Sequence, residues 1–150
     1  MNYWLMKTEP DEFSIDDLKR RKSEPWTGVR NYQARNYMRD GMRKGDGVLF
    51  YHSSCAVPGV AGIAEVATSA YADPTQFDPK SDYFDAGSPR DAPRWLMVDV
   101  KYRRKLKRVI TLTELKQHDE LNGMILLRPG NRLSVMPVTK SEWDFVLGLE

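Results

Sequence analysis

The stretch that decides the fold covers residues 44–66 and reads KGDGVLFYHSSCAVPGVAGIAEV. Within it, a glycine-rich turn precedes residues 48–52, whose apolar, β-branched and aromatic side chains predict a buried strand. A Pro-Gly turn then precedes residues 60–66, which predict a second strand. Gly62 lies inside this second strand and indicates that a neighbouring backbone approaches closely. The two strands predict that the core is built on a β-sheet.

Three more strands are predicted on either side of this stretch, over residues 3–6, 95–102 and 133–138. Pro137 places the last of them at an edge of the sheet, because proline has no N–H to donate to a neighbouring strand. Capping residues predict short helices between the strands: residues 15–21 after Ser14, 32–39 after Asn31, from Thr111 to near Gly123, and from Thr139 through Leu147. Strands therefore dominate the core, and the mixture predicts an α+β fold with a small curved sheet or barrel.

The composition limits the class of protein. The chain has 150 residues, of which 41% are hydrophobic and 29% charged, and this suits a single domain over residues 1–150. One Cys excludes a disulfide within the chain, and two His leave no plausible zinc cluster. No apolar run reaches the roughly 18 residues of a membrane span, and the N-terminus lacks the features of a signal peptide. We therefore expect a cytoplasmic protein with no membrane segment, no metal and no cofactor.

A net charge of +2 conceals one strongly basic stretch, residues 101–108, which reads KYRRKLKR. A basic strip of this kind is typical of a surface that contacts the phosphates of a nucleic acid. It is equally typical of a solvated strand edge whose Lys and Arg side chains prevent aggregation. The residues alone leave both interpretations open.

The sequence argues against two common kinds of site. His52 is followed by Ser53, Ser54 and Cys55, so an imidazole lies near hydroxyl groups and a thiol. Neighbouring residues of a strand point to opposite faces, however, and no G-x-S-x-G motif surrounds them, which argues against a catalytic triad. The Gly-Asp-Gly sequence of residues 45–47 lacks the spacing of a P-loop or a dinucleotide-binding motif.

Residues 25–37 contain many side chains of the types that recognise nucleobases. They include one Trp, two Tyr, two Arg, two Asn and one Gln. Trp26 precedes Gly28 in a predicted loop, and a flat aromatic face beside amide groups is suited to stacking a base and reading its edge. In the alternative interpretation, Trp26 covers the core while Arg30 and Asn31 tie the loop to backbone carbonyls. Both interpretations stay open at this point.

A long loop over residues 73–93 contains four prolines, and loops of this length inside a domain are often functional. Aromatic residues lie in or beside it, and one of them is a candidate for a second wall facing Trp26. We expect Phe77 to fasten the loop to the body of the protein. Tyr83 and Phe84 are candidates for either role.

Six collinear motifs cover nearly the whole chain. They are YWLMKTEP at 3–10, FSIDDL at 13–18, WTGVRNYQARN at 26–36, FYHS at 50–53, FDPK at 77–80 and GNRLSVMPV at 130–138. Together they resemble the EVE domain family. The resemblance implies a PUA-like fold, a curved sheet or pseudo-barrel of about five to six strands flanked by short helices. It also implies a binding module and not an enzyme, one that reads a modified base in DNA or RNA, above all a modified cytosine.

The resemblance assigns roles to the residues around the base. Trp26 would stack on the base after its extrusion. Asn31 and Ser53, with backbone groups near Thr8, would read its polar edge. The second cage position, known from the related YTH domains, falls near Tyr83 or Phe84, and this sequence has no tryptophan there.

The resemblance also implies which cations contact the nucleic-acid backbone. Arg30 and Arg35 would hold neighbouring phosphates or brace the pocket. Lys7, Arg104 and Arg132 are candidates for the surrounding backbone. The implied partner is therefore a nucleic acid, with neither a membrane nor a metal ion involved.

Two rival functions come from other classes. The ASCH domains have a similar fold, and some of them hydrolyse acylated cytidines with Lys, Thr and Glu. Lys7, Thr8 and Glu9 offer these residue types, but on one strand Thr8 would face away from the other two. The other rival is a module that uses the same pocket for a small ligand or a protein partner.

Overall fold

The computed structural model describes residues 1–150, in which strands outnumber α-helices. The strands are β1 Tyr3–Thr8, β2 Ser23–Pro25, β3 Gly47–His52, β4 Gly59–Val66, β5 Tyr71–Ala72, β6 Leu96–Met97, β7 Asp99–Thr111 and β8 Val135–Val138. The α-helices are α1 Ile15–Arg21, α2 Tyr32–Asn36, α3 Leu112–Leu115 and α4 Lys140–Gly148. Single 3₁₀ turns cover Pro74–Phe77, Asp119–Leu121 and Ile125–Leu127, and a π turn covers Tyr37–Gly41.

Six strands form one sheet in the order β2-β7-β4-β3-β1-β8, and β5 and β6 form a separate ribbon. All neighbours in the large sheet are antiparallel except β1 and β3, which run parallel with Thr8 opposite His52. The register shifts once between β3 and β4 and twice between β4 and β7, and such bulges bend and twist strands. The result is a curled half-barrel with few short helices, which confirms the predicted α+β class and strand number.

Side chains alternate across the sheet and form two apolar clusters. On β1, Trp4 and Met6 belong to one cluster, which also contains Phe50 and Trp26. Leu5 belongs to the other cluster, which includes residues of helix α4 and of the 3₁₀ turns Asp119–Leu121 and Ile125–Leu127. The first cluster lies beneath the loop that carries Trp26, so the sheet supports this loop directly.

The predicted helices begin where expected, but two of them end early. Helix α1 has the predicted bounds and a complete capping box between Ser14 and Asp17. Helix α2 ends at Asn36 instead of Arg39, and the chain continues as a wider π turn. A Cβ on Gly41 at the end of this turn would lie 2.6 Å from Cη2 of Trp4, so the tryptophan ring occupies the space beside it. Helix α3 is a single turn, not a helix reaching toward Gly123.

The predicted strand over residues 95–102 is two strands, β6 and the much longer β7. The basic residues 101–108 lie on β7, where β2 covers only the first of them. Their side chains pair with carboxylates: Lys101 and Arg103 with Glu65, Arg104 with Glu150, Lys105 with Asp16, and Arg108 with Glu114. This pairing favours the interpretation of the strip as a solvated strand edge. Strand β8 lies at the opposite edge, as Pro137 predicts.

The longest α-helix has nine residues, and no helix has the length and hydropathy needed to cross a membrane.

Candidate functional site

A cavity of about 460 Å³ opens where the parallel strands β1 and β3 end. The backbone N–H of Ser53 donates to the carbonyl of Thr8 at 2.9 Å and holds the two strand ends together. Because the strands are parallel, their carboxyl ends meet at the same rim, and the side chains beyond them line one space. Six of the predicted residues line this cavity and are brought together there: Lys7, Thr8, Trp26, Ser53, Tyr83 and Arg132.

Trp26 belongs to both the core and the cavity. Its side chain is only 8% exposed, and it meets the rings of Phe13 and Phe50 edge-on, at centroid distances of 6.4 and 5.7 Å. Its backbone N–H donates to the carbonyl of Val98 at 2.9 Å, which fixes the loop after β2. The remaining surface of the indole lines the cavity. Trp26 therefore covers the core, as one interpretation predicted, and its contact with a base stays a prediction.

The indole N–H of Trp26 has no partner within the protein. The Nε1 atoms of Trp4 and Trp95, by contrast, donate to the carboxylates of Asp46 and Asp85 at 3.0 and 2.8 Å. No fully buried polar side-chain atom in the structure lacks a partner, so the free Nε1 of Trp26 keeps access to solvent. It is available to a ligand in the cavity.

Hydroxyl groups surround the indole at the cavity rim. Thr8 donates its Oγ1 hydrogen to the carbonyl of Phe13 at 3.0 Å, so its hydroxyl is already engaged. The hydroxyls of Ser53, Ser54 and Ser134 line the cavity without a hydrogen bond to the protein. Ser54 has a φ of 52°, a left-handed conformation that is uncommon for residues other than glycine. The rim thus offers several free donors and acceptors to a polar ligand edge.

Tyr83, from the long loop, is the third aromatic residue that lines the cavity, beside Trp26 and Phe13. Its ring covers Gly28, where an added Cβ would lie 2.6 Å from Cζ of Tyr83. The carbonyl of Tyr83 accepts hydrogen bonds from Nε and Nη2 of Arg30 at 3.0 and 2.8 Å, and the same guanidinium lies 5.5 Å from the ring centre. Phe84 does not line the cavity and is 41% exposed. Of the two candidates for the second wall, Tyr83 has this position.

Asp73 connects the two loops that form the cavity walls. Its side chain is fully buried and accepts hydrogen bonds from the N–H of Gly28 at 2.8 Å and from Nη1 of Arg30 at 3.1 Å. Thr75 donates to the same carboxylate through its N–H and its hydroxyl. Burial opposes ionisation of Asp73, but the bonds from Thr75, Gly28 and Arg30 outweigh it and lower its pKa below the usual value. Arg30, which was predicted to line the pocket, does not do so; its guanidinium instead joins Asp73 to the carbonyl of Tyr83 behind the cavity wall.

The charged residues of the cavity include both signs. Glu9, Glu12 and Glu24 lie at its border, together with Lys7 and Arg132. No carboxylate lies within 4 Å of the ammonium of Lys7, which sits 5.8 Å from the centre of the Tyr51 ring. Burial lowers the pKa of Lys7 below its usual value. A partly desolvated cation without an ion pair is a natural contact for an anionic or carbonyl oxygen.

Three other predicted residues lie outside the cavity because their side chains are used elsewhere. Asn31 caps helix α2 by accepting from the N–H of Ala34 at 3.0 Å. The guanidinium of Arg35 donates to the carbonyl of Arg94 at 2.9 Å, and Arg104 forms two bonds to Glu150. The sequence did not point to Phe13, Glu24, Thr27, Gly28, Ser54 and Ser134, which do line the cavity. Only Gly28 carried a signal, as a glycine two residues after an aromatic residue in a loop.

His52 is not paired with a serine. Its Nε2 accepts a hydrogen bond from the N–H of Ile15 at 3.1 Å, at the start of helix α1. Its ring packs edge-on against Phe50, and burial lowers its pKa below the usual value. The neutral imidazole thus fastens helix α1 to the end of β3.

Gly28→Ala is expected to weaken ligand binding by displacing Tyr83. The φ of Gly28 is +88°, and a Cβ would lie less than 3 Å from three carbon atoms of the tyrosine ring, so backbone and ring would both have to move. The strained backbone conformation costs about 1–3 kcal/mol. Urea denaturation measures this loss in the free energy of unfolding. Gly130→Ala is the matched control, because the φ of Gly130 is also positive while no atom lies within 4 Å of an added Cβ. Equal binding by Gly28→Ala and wild type would show that the tyrosine wall is not needed.

Comparison with known proteins identifies relatives over the full length. The sequence matches the EVE domain family over residues 2–149. Thymocyte nuclear protein 1 of Homo sapiens is 43% identical over an alignment of 168 positions, which covers 99% of this chain and 74% of that protein. A protein of Pseudomonas syringae has a crystal structure that is 50% identical, with a TM-score of 0.95 and 98% of each chain covered.

A further solved structure is human THYN1 in complex with DNA that contains 5-methylcytosine. It is 42% identical, with a TM-score of 0.94, and the match covers 99% of this chain and 97% of that chain. An ASCH protein of Zymomonas mobilis is only 13% identical, with a TM-score of 0.59, and shares the fold alone. The family match, the sequence identities and the structural similarity agree with the resemblance found in the sequence motifs. This chain belongs to the EVE domain family.

Proposed function

We propose that this chain reads a modified base in DNA, with a modified cytosine as the ligand of the cavity beside Trp26. The observation that carries the proposal is the combination of a partly accessible indole with a free N–H, free serine hydroxyls and a tyrosine wall around one cavity. The cavity volume of about 460 Å³ lies within the range of about 300–1,000 Å³ that is usual for small-molecule sites. The complex of human THYN1 with DNA containing 5-methylcytosine supports the choice of ligand.

The residues of the cavity suggest how a base is held. Trp26 stacks on one side of the heterocycle, and Tyr83 limits the space on the side of the long loop. The hydroxyls of Ser53 and Ser54 contact the polar edge of the base. Lys7 and Arg132 lie at the cavity border and contact the neighbouring phosphates. Binding of RNA and a cytoplasmic location stay predictions from the sequence.

The energies predict weak binding by the isolated domain. Extruding a base from a duplex costs a few kcal/mol, and less from a mismatch or a single strand. One stacked base returns about 1–3 kcal/mol. Phosphate contacts supply much of the remaining affinity, and they weaken as the salt concentration rises because the release of counterions from the nucleic acid becomes less favourable. We therefore expect single strands to bind better than matched duplexes carrying the same base.

The proposal is tested by titrating fluorescent oligonucleotides that differ at one base. Strands with 5-methylcytosine, cytosine or thymine at the same position are compared by fluorescence anisotropy at several salt concentrations. The expected result is a preference for 5-methylcytosine that persists as salt rises, while the affinity for all strands falls together. Identical affinities for the three strands would contradict a base reader. Binding that does not change with salt would favour a small-ligand or protein-binding module.

One observation favours the hydrolase as a second candidate. Lys7, Thr8 and Glu9 all line the cavity, although strand alternation predicted that Thr8 would face away. The Thr8 hydroxyl is bonded to the Phe13 carbonyl, which leaves it poorly placed to act as a nucleophile. Incubation with N4-acetylcytidine distinguishes the two functions. Steady release of acetate that is lost in Lys7→Ala would establish the hydrolase.

A further inference from the structure

Phe84 is a large apolar side chain that the protein leaves exposed. It is 41% exposed, and no aromatic ring or cation packs on its ring. The preceding residue, Tyr83, lines the cavity, whereas Phe84 does not. Two adjacent aromatic residues therefore lie at the mouth of the cavity, with one at its wall and the other presented to solvent.

The turn that carries Phe84 is held firmly on both sides. The carbonyl of Tyr83 accepts two hydrogen bonds from Arg30, and the N–H of Phe84 donates to the carbonyl of Ser81 at 3.2 Å. On the other side, the N–H of Asp85 donates to the carbonyl of Gln76 at 2.9 Å, and the carboxylate of Asp85 accepts from the indole of Trp95. The exposed ring is thus presented from a fixed backbone and not from a free loop.

We propose that Phe84 inserts into duplex DNA at the position vacated by the extruded base. This inference rests on the function proposed above, because it needs a base to leave the stack and enter the cavity beside Tyr83. Extrusion leaves the neighbouring base pairs unstacked on one side, and apolar side chains of DNA-binding proteins fill such gaps. A phenylalanine ring next to the cavity wall supplies a flat apolar surface at this place. The occupant of this surface is therefore the base stack of a double helix.

Charge attraction does not explain the position of Phe84. The same turn carries Asp78 and Asp82 as well as Lys80, so it offers no net positive charge to phosphates. The contribution of Phe84 to binding is accordingly stacking, and it should be nearly independent of salt. Contacts made by Arg132, in contrast, weaken as salt rises.

The test compares three substrates that carry one 5-methylcytosine: a matched duplex, a duplex with a mismatch opposite the modified base, and the single strand. We expect Phe84→Ala to weaken binding of the matched duplex about tenfold. Binding of the mismatched duplex should weaken less, because its base is extruded at a lower cost. Binding of the single strand should weaken less than twofold, because the gap exists only in a duplex. Phe84→Leu retains an apolar wedge and should recover most of the affinity. Tyr71→Ala removes an equally exposed aromatic side chain outside the cavity and serves as the control.

Equal losses of affinity for all three substrates would overturn the proposal that Phe84 inserts into the duplex. No loss of affinity for the matched duplex would overturn it too, and this is the result expected if Phe84 contacts a protein partner instead. Failure of the proposed function looks different, because wild type would then show no preference for 5-methylcytosine even in the single strand. Such a result would overturn both proposals. Thermal unfolding of each variant shows whether the fold is intact, and Phe84→Leu keeps the test valid if the alanine variant is unstable.

Discussion

Trp26→Ala is expected to abolish the preference for a modified base. Stacking on an aromatic side chain contributes about 1–3 kcal/mol per base, which corresponds to a loss of about 5- to 150-fold in affinity. The strand with 5-methylcytosine should lose this affinity, while the contacts with phosphates remain. Fluorescence anisotropy with modified and unmodified strands measures the difference between the two.

Trp26 is also part of the core, so its loss acts on stability as well. Removing a buried tryptophan side chain costs about 3–5 kcal/mol, and the alanine variant must be studied well below its unfolding transition. Trp26→Phe keeps a ring in contact with Phe13 and Phe50 but removes the free indole N–H. We expect it to retain most of the preference for the modified base, because a flat ring remains for stacking. Trp143→Phe is the matched control, because this indole contacts Tyr3 on the far side of β1. An unchanged preference in Trp26→Ala would place the binding site elsewhere.

Asp73→Ala is expected to cost the largest amount of stability of any single polar substitution here. The carboxylate is fully buried and satisfies Gly28, Arg30 and Thr75 at once. Its removal leaves the N–H groups of Gly28 and Thr75 without an acceptor, and each buried polar group left unsatisfied costs about 1–3 kcal/mol. Urea denaturation measures this change in the free energy of unfolding. Asp40→Asn is the control, since Asp40 forms an exposed ion pair with Arg39 and should leave stability unchanged.

The pH dependence of stability gives a second readout for Asp73. Its pKa is lowered in the folded protein, so the carboxylate stabilises the fold at pH values above its unfolded pKa of about 3.9. This contribution is lost as pH falls through that value toward the folded pKa, where the unfolded state binds more protons. Asp73→Asn should lack this part of the acid sensitivity. An acid transition identical to that of wild type would show that other carboxylates dominate it.

Local patterns predicted the elements whose formation depends on neighbouring residues. The capping box of Ser14 and Asp17 lies within four residues, and helix α1 has the predicted bounds. The apolar runs predicted the central strands, and Pro137 predicted the edge position of β8. The packing of the π turn after α2 was not predictable in this way, because Gly41 at its end contacts Trp4, 37 residues away along the chain.

The walls of the pocket were easier to predict than its charges. Trp26 and Tyr83 are large aromatic residues in loops, and that combination is visible in sequence. The fates of Arg35 and Arg104 are not visible, because their partners Arg94 and Glu150 lie 59 and 46 residues away. The central role of Asp73 was likewise hidden, since Gly28 and Arg30 lie 45 and 43 residues before it.

The cavity draws its lining from segments that span most of the chain, from Lys7 at the end of β1 to Ser134 before β8. No part of the protein short of the complete fold can therefore assemble it, and occupancy and folding are thermodynamically linked. A ligand present at one hundred times its Kd adds about 2.7 kcal/mol to the free energy of unfolding. The protein with a bound base is thereby more resistant to proteolysis along its whole length than the free protein.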